Sequence, residues 1–297
     1  MSSRIVKDLS DVEYHADRTT LSASGAKLLL PPSTPAKFRE AMDNPPPPKP
    51  VFDFGHLVHG LVLGVGQELE ILDPAIHGLK ADGTVAQVPQ MTGAWKKADQ
   101  AARAAGKLPV SKDDFEAARM MSNRVLTDKV AGPLFRKGEP EVSWYATDPD
   151  TGVQLRARPD WQTNIDGRPV IVDLKTTQDG NPDTLGRTAD RYQYFLQAAW
   201  YITVAELLGM EDPDFLFVFV EKSAPYLVTV GRPLADEVAY GRQQMRDALQ
   251  RYRDCTEADV WPGYEPIIHP MRLPPWRLND ISAAQATDLI TALEGIA

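Results

Sequence analysis

The sequence predicts a mixed α/β (α+β) fold: one mixed central β-sheet flanked by helices, with a helical region ahead of it. Three observations carry this reading. Five apolar or alternating runs bounded by turn residues follow residue 138, namely "EPEVSWYAT", "VQLRARPDWQTN", "RPVIVDLKTT", "DFLFVFVEK" and "YLVTVGR". Helical stretches precede them and alternate with the later ones, an order that suits a sheet covered by helices. No linker separates the strand-rich part from its helices, so one domain is expected rather than two.

Along the chain, "TTLSASGAKLLLPPSTPAKFREAM" reads as two short helices parted by Pro31 and Pro32. Ser22 or Ser24 suits the first cap, and Ser33 or Thr34 the second, ahead of Pro35 in its first turn. "NPPPPKP" at 44–50 is a stiff strap, about 20 Å long at ~3.1 Å per residue in polyproline geometry. "VFDFGHLVHGLVLG" looks helical and buried. "LEILDP" suggests a strand, and the stretch from 77 to 106 a loop running into a short helix. "SKDDFEAARMMSNRVLTD" opens with Ser111 and with Asp113 and Asp114 in the first turn, and Phe115, Ala118, Met121 and Val125 keep the helical period. "DPDTG" and "IDG" are turns, the first joining a hairpin. "TADRYQYFLQAAWYITVAELLGM" predicts one long helix, and "LADEVAYGRQQMRDALQRYRDC" a terminal one. The expected organisation is an N-terminal helical segment and strap (1–50), a core (51–256) and an irregular tail packed on it (257–297).

Composition narrows the function classes. At 297 residues, with 43% hydrophobic and 25% charged residues, the chain is an ordinary globular one. No run approaches the ~20 apolar residues of a membrane span, and "MSSRIVKDLSDVEYHADRTT" has no apolar signal core, so a cytoplasmic protein is expected. The single cysteine, Cys255, leaves no intrachain disulfide and no all-cysteine metal or iron–sulfur site. A net charge of -9 argues against wrapping nucleic acid on the outer surface, but a cleft has the field of its own lining. There is no GxGxxG after a strand, no GxxxxGKS/T and no HExxH.

The chemistry gathers around "VIVDLKTT". Asp173 and Lys175 are two apart and share a strand face. Either this is a surface ion pair or it is a metal-dependent site. The core-like "VIV" before it, and its place at the strand's C-terminal end, favour a cleft. Asp160, in "LRARPDW", falls on the neighbouring strand, where two carboxylates ~4.8 Å apart repel unless a cation joins them. Gln197 and Tyr201 are one helical turn apart in an apolar stripe; they either bond to backbone or serve a site. His59 in "FGHLVHG" has a structural reading as a helix–helix histidine. Pattern alone does not choose between Glu139 and Glu141. Arg156 and Arg158 share the Asp160 strand, and Arg187 and Arg191 precede the Gln197 helix; all four are candidates for phosphate contact.

Taken together, Gly55-x-x-x-His59, Glu141, Asp160, Asp173-Leu-Lys175 and Gln197-x-x-x-Tyr201 resemble the PD-(D/E)xK nuclease superfamily. Within it the closest likeness is to the RecB-type branch and its phage exonuclease VIII-like (RecE-like) members. "YHADRTTLSASGAKLLLPPSTPAKF" resembles the opening of that group, and the likeness spans about 14–255. The resemblance implies a restriction-endonuclease-like core. It implies that His59, Asp160, Asp173 and the Leu174 carbonyl hold Mg²⁺ (Mn²⁺ substituting), that Lys175 assists water attack, and that Glu141, Gln197 and Tyr201 complete the site. It also implies a metal-dependent exodeoxyribonuclease acting 5′-to-3′ on double-stranded DNA ends. The single strand left would feed annealing-type recombination with an annealing protein partner. A homo-oligomeric ring and a bacterial host cytoplasm go with it. The alternatives are a single-strand end or flap nuclease of the same fold, and a catalytically silent DNA-end-binding module.

Overall fold

The computed structural model describes residues 3–45, 54–274, 277 and 279. The chain up to Gly263 forms one compact unit. In the second unit, residues 264–274 follow an irregular path.

The chain opens with β1 (Arg4–Val6) and α1 (Asp11–Ala16), the helix started by a capping box between Ser10 and Glu13. Then come β2 (Leu21–Ser22), α2 (Ala23–Leu29) and α3 (Pro35–Asp43). Ser22 caps α2, accepting from the Gly25 N–H at 3.2 Å, and Pro35 opens α3 as expected. Of the proline strap, residues 46–50 lie outside those described. Next are α4 (Phe54–Leu63), β3 (Leu69–Leu72), α5 (Pro74–His77), a 3₁₀ turn, α6 (Gly93–Ala104), β4 (Leu108–Ser111) and α7 (Lys112–Thr127). After a second 3₁₀ turn follow β5 (Glu139–Pro140), β6 (Ser143–Thr147), β7 (Gln154–Ala157), β8 (Trp161–Ile165) and β9 (Arg168–Thr177). The rest is α8 (Pro182–Arg191), α9 (Tyr194–Leu207), β10 (Asp214–Glu221), β11 (Val228–Gly231) and α10 (Ala235–Ala258).

The central sheet has the order β11-β10-β9-β8-β5, with β9 and β10 parallel and the other pairs antiparallel. It is the expected mixed sheet flanked by helices. Strand alternation explains the two layers. Val170, Val172 and Leu174 of β9, with Val218 and Val220 of β10, pack on Leu57, Val58 and Val62 of α4 and on Met121 and Val125 of α7. Ile171, Phe215, Phe217 and Phe219 point the other way, toward Leu196 and Trp200 of α9 and the helices α2 and α10. α10 lies close on α9 because Gly241 has no Cβ; one there would stand 2.1 Å from the Phe195 carbonyl oxygen.

Three departures from the sequence reading bear on the site. A second sheet exists, β1-β6-β7-β2, because the N-terminal segment supplies two strands as well as helices. "VQLRARPDWQTN" is two strands, not one: β7 belongs to the second sheet and β8 to the central one, parted by Arg158–Pro159–Asp160. Pro159 has no N–H for a ladder, so the strand turns there. The helix expected over 188–210 is likewise two, broken at Gln193, whose φ is +52°.

Candidate active site

The β9 alternation places the acid and the lysine. Ile171 lies in the apolar layer under α9, and Asp173 and Lys175 follow on that face. Asp173 is 2% exposed, so its charge needs partners. It has two: the Gln197 side-chain N–H donates to Oδ1, and the Lys175 ammonium pairs with Oδ2. Thus the Asp173–Lys175 pair is a buried ion pair at the sheet end, not a surface one.

Asp160 arrives from the bend between the two sheets. Trp161 is paired with Val172, so continuing the antiparallel register sets Asp160 beside Asp173. The Leu174 backbone N–H donates to Asp160 Oδ2 at 2.7 Å, and the Glu141 N–H donates to the Asp160 carbonyl at 3.1 Å. Glu141 marks the matching bend in the other hairpin arm, between β5 and β6, with φ +47°. That bend separates the surroundings of Glu139 and Glu141, between which pattern alone does not choose. Glu139 pairs with Lys7 and accepts from Gln162, whereas the exposed Glu141 carboxylate adds to the negative field on Asp160. His59 of α4 reaches in from the opposite layer, its Nδ1 3.5 Å from Asp160 Oδ2 and its ring bonded to the Leu174 backbone.

Helix α9 contacts the site strand and the bend through three side chains within little more than one turn. Gln197 bonds Asp173, the Trp200 indole N–H donates to the Arg156 carbonyl at 2.9 Å, and the Tyr201 hydroxyl donates to the Arg158 carbonyl at 3.1 Å. Both readings of the Gln197–Tyr201 pair are therefore realised. Gln197 serves a site carboxylate, while Tyr201 bonds to backbone, two residues before Asp160.

The arginine expectations divide. Arg156 and Arg158 do share a face, but it is turned to the N-terminal segment. Arg156 donates to the carbonyls of Tyr14 and Asp17 at 2.6 and 2.9 Å. Arg158 donates to Ser143 Oγ and to the Leu9 carbonyl, both at 2.9 Å, and both guanidinium groups lie over the Tyr14 ring. They are structural groups bridging β7 to α1, and the phosphate-contact reading is corrected for both. The sequence signal was ambiguous because their partners lie some 140 residues away. Arg187 and Arg191 are exposed on α8. The Arg191 guanidinium covers the Tyr192 ring at 5.8 Å, Tyr192 stacks on Tyr194 at 5.7 Å, and Tyr194 faces Lys175 at 5.3 Å.

One residue at the site was not foreseen. Lys27 of α2 donates from Nζ to Gln197 Oε1 at 3.2 Å and lies 5.4 Å from the centre of the same Tyr194 ring. In "SGAKLLL" nothing distinguishes it from a surface helix lysine.

The electrostatics match this crowding. Burial, then the Asp173 charge, raise the Asp160 carboxyl well above the ordinary range. Burial works against the Lys175 ammonium, but Asp173 and Asp160 outweigh it and the net shift is upward. Lys27, with burial first and the Lys175 charge second, is drawn down to about 8. Burial lowers the His59 imidazole and raises the Tyr201 phenol.

Among the described residues, no group of three His, Cys, Asp or Glu side chains forms a ready cage for a metal ion. The donors brought together are two carboxylates, the Leu174 backbone and an imidazole. Apart from the Lys175 ion pair, buried Asp173 Oδ2 has no hydrogen-bond partner. Such a set fits Mg²⁺ or Mn²⁺, hard cations commonly held by one or two carboxylates while keeping several waters.

An α4/α7 layer, a mixed sheet with acids on neighbouring strands, and a covering helix aimed at them are the architecture of the PD-(D/E)xK superfamily, with its restriction-endonuclease-like core. Within that class, the chain belongs to the family described as a PDDEXK-like domain of unknown function (DUF3799), whose model matches residues 22–268. Among solved structures, a candidate exonuclease from Eubacterium rectale aligns over 91% of this chain and 96% of its own, at 15% identity and a TM-score of 0.55. At that identity the likeness is one of fold. The structure of SSO0001, at 12% identity over 80% of this chain and 81% of its own, has a TM-score of 0.35 and carries no weight. No curated protein matches the chain.

Proposed function

We propose that the protein is a divalent-metal-dependent exodeoxyribonuclease of the RecE-like kind, hydrolysing phosphodiesters from the ends of linear duplex DNA. One observation carries the reading: Asp160 and Asp173 meet at adjacent strand ends, with Lys175 paired to the second. Burial first, and then the neighbouring Asp173 charge, oppose ionisation of Asp160 and raise it. A site built this way is made for a cation. When bound, that cation supplies Lewis acidity at the phosphoryl oxygen and a more acidic water.

The chain's own groups do the rest. Gln197 donates to Asp173 Oδ1 and Lys175 pairs with Oδ2, so the carboxylate is held in one orientation. Lys175 holds a positive charge where the phosphoryl group gains negative charge in the transition state. His59, Leu174 and Asp160 fix one another across the layer. Arg187 and Arg191, exposed on the helix leading to Tyr194, would contact the DNA backbone in this reading.

Digestion 5′-to-3′, a ring of subunits around the duplex, delivery of single strand to an annealing protein, a phage origin and a bacterial cytoplasm complete this reading. They rest on the motif resemblance. Among the described residues no helix is long and apolar enough to cross a membrane.

The test is digestion of linear duplex labelled at either the 5′ or the 3′ end, with Mg²⁺, with Mn²⁺ or with chelator. Metal-dependent loss of the 5′ label as mononucleotide, with the 3′-labelled strand kept, is the expected result. Cleavage of circular duplex or of flaps at equal rate overturns the exonuclease reading. Absence of cleavage under all metals overturns the enzyme reading.

A further inference from the structure

We propose that Lys27 is a positioning residue for the active centre: its ammonium fixes the Gln197 amide so that the N–H end, and not the oxygen, faces Asp173. This deepens the nuclease reading and rests on it.

The two ends of a glutamine amide are nearly equal in shape, so packing alone does not choose between them. Here the choice is made by charge. Lys27 offers only donors and Asp173, when ionised, only acceptors. Gln197 sits between them, accepting from Lys27 Nζ at Oε1 and donating from Nε2 to Asp173 Oδ1. A flipped amide would set oxygen against carboxylate and N–H against ammonium. The chain ammonium–amide–carboxylate therefore has one direction.

Holding an ammonium half-buried on α2 has a cost that its partners offset. A helix that only needed to pack on α9 would carry Leu or Met at that place, as its neighbours Leu28 and Leu29 do. The ring of Tyr194 lies within 5.4 and 5.3 Å of the Lys27 and Lys175 ammonium groups, so one aromatic ring serves two cations. With Oδ1 of Asp173 occupied in this way, Oδ2 keeps one orientation, paired with Lys175 and without a hydrogen bond. Lys27 thus acts on the Asp173 carboxylate through Gln197, at a separation of 170 residues in sequence.

The experiment compares wild type, Lys27→Met, Lys27→Arg, Gln197→Ala and the Lys27→Met/Gln197→Ala double variant. Three quantities are read on each: kcat and KM on linear duplex, Mn²⁺ affinity by titration calorimetry, and melting temperature. Lys27→Met, which keeps length but loses the donor, is expected to lower kcat by about tenfold with KM nearly unchanged. It should also weaken Mn²⁺ binding, and Lys27→Arg should restore most of both. The double variant should be no worse than Gln197→Ala alone, since groups in one chain are non-additive.

Wild-type kcat and Mn²⁺ affinity in Lys27→Met overturn the proposal. So do multiplicative losses in the double variant, or coupling seen only in the melts. Should Lys27→Met not fold, Lys27→Gln replaces it, with an uncharged donor. If the wild type cuts no DNA, the nuclease reading fails, while the Mn²⁺ affinities still decide the role of Lys27.

Discussion

The backbone N–H of Leu174 and the carboxylate of Asp160 are joined by a 2.7 Å hydrogen bond across two strands. It locks the acid of one strand to the register of the next, so Asp160 cannot retreat from Asp173 without breaking a main-chain bond. The Asp173 charge and burial together disfavour ionisation of Asp160 held in this place.

Asp160 and Asp173 are expected to differ on neutralisation. Asp160→Asn keeps an oxygen for the Leu174 N–H and removes the repulsion, so in chelator it should melt at or above wild type. Asp173→Asn leaves the half-buried Lys175 without its anion and should lose about 1.5–3 kcal/mol of stability. Both should abolish Mn²⁺ binding and cleavage. Scanning calorimetry and metal titration on the same samples check this; equal melting of the two variants would count against the geometry.

For Lys175→Ala, single-turnover cleavage should fall by orders of magnitude while duplex affinity in Ca²⁺ changes little. One charge among many phosphate contacts contributes modestly to binding, but beside the reacting phosphorus it acts mainly in the transition state. Parallel losses in both measurements would reduce Lys175 to a general electrostatic contact.

Tyr201→Phe removes the bond to the Arg158 carbonyl, 3.1 Å long and part-buried. The expected cost is about 1 kcal/mol of stability, and kcat should fall with KM steady because the Asp160 bend loses a tether. Thermal melts with steady-state kinetics test it. A lower melting temperature with full kcat would make Tyr201 a packing group alone.

Arg187→Ala and Arg191→Ala should each leave kcat at saturation unchanged. If each arginine meets one phosphate, each substitution lowers the slope of log affinity against log salt by about 0.9 on duplex DNA. Fluorescence anisotropy across a salt series measures it, and an unchanged slope removes that arginine from the DNA surface.

Lys27 gives a pH signature. Its folded value, about 8, is below the ordinary 10.5. Between the two, the unfolded chain binds the proton that the folded protein has released, so stability rises with pH. Relative to Lys27→Met, wild type should therefore gain melting temperature from about pH 8 toward 10.5 and lose it again as pH falls through 8. Melts of both proteins in chelator across that range give the difference directly.

How much of this was written in the sequence depends on the range of each signal. Asp173 and Lys175 were legible because strand alternation is local: two residues apart means one face. Gln197 was legible because an amide in an apolar helical stripe demands a partner. Asp160 was found as an acid on the next strand, but its place in a bend between two sheets was not, since Pro159 reads equally as a strand end. Arg156, Arg158 and Lys27 were misread or missed for one reason. Each is defined by a partner far along the chain, at Tyr14, Leu9 and Gln197 respectively, and residue type alone does not say whether a cation meets solvent, phosphate or a buried carbonyl.

The separation of 170 positions from Lys27 to Gln197 is also a separation in time. At a synthesis rate of about 5–20 residues per second, roughly 10–30 s pass between the first residue leaving the ribosome and the second. In that interval the growing chain acquires His59, then Asp160, then Asp173 and Lys175, but has neither the amide that orients Asp173 nor the helix that pins the bend. The side chains that meet around Asp173 therefore cannot all be in place before α9 has been made.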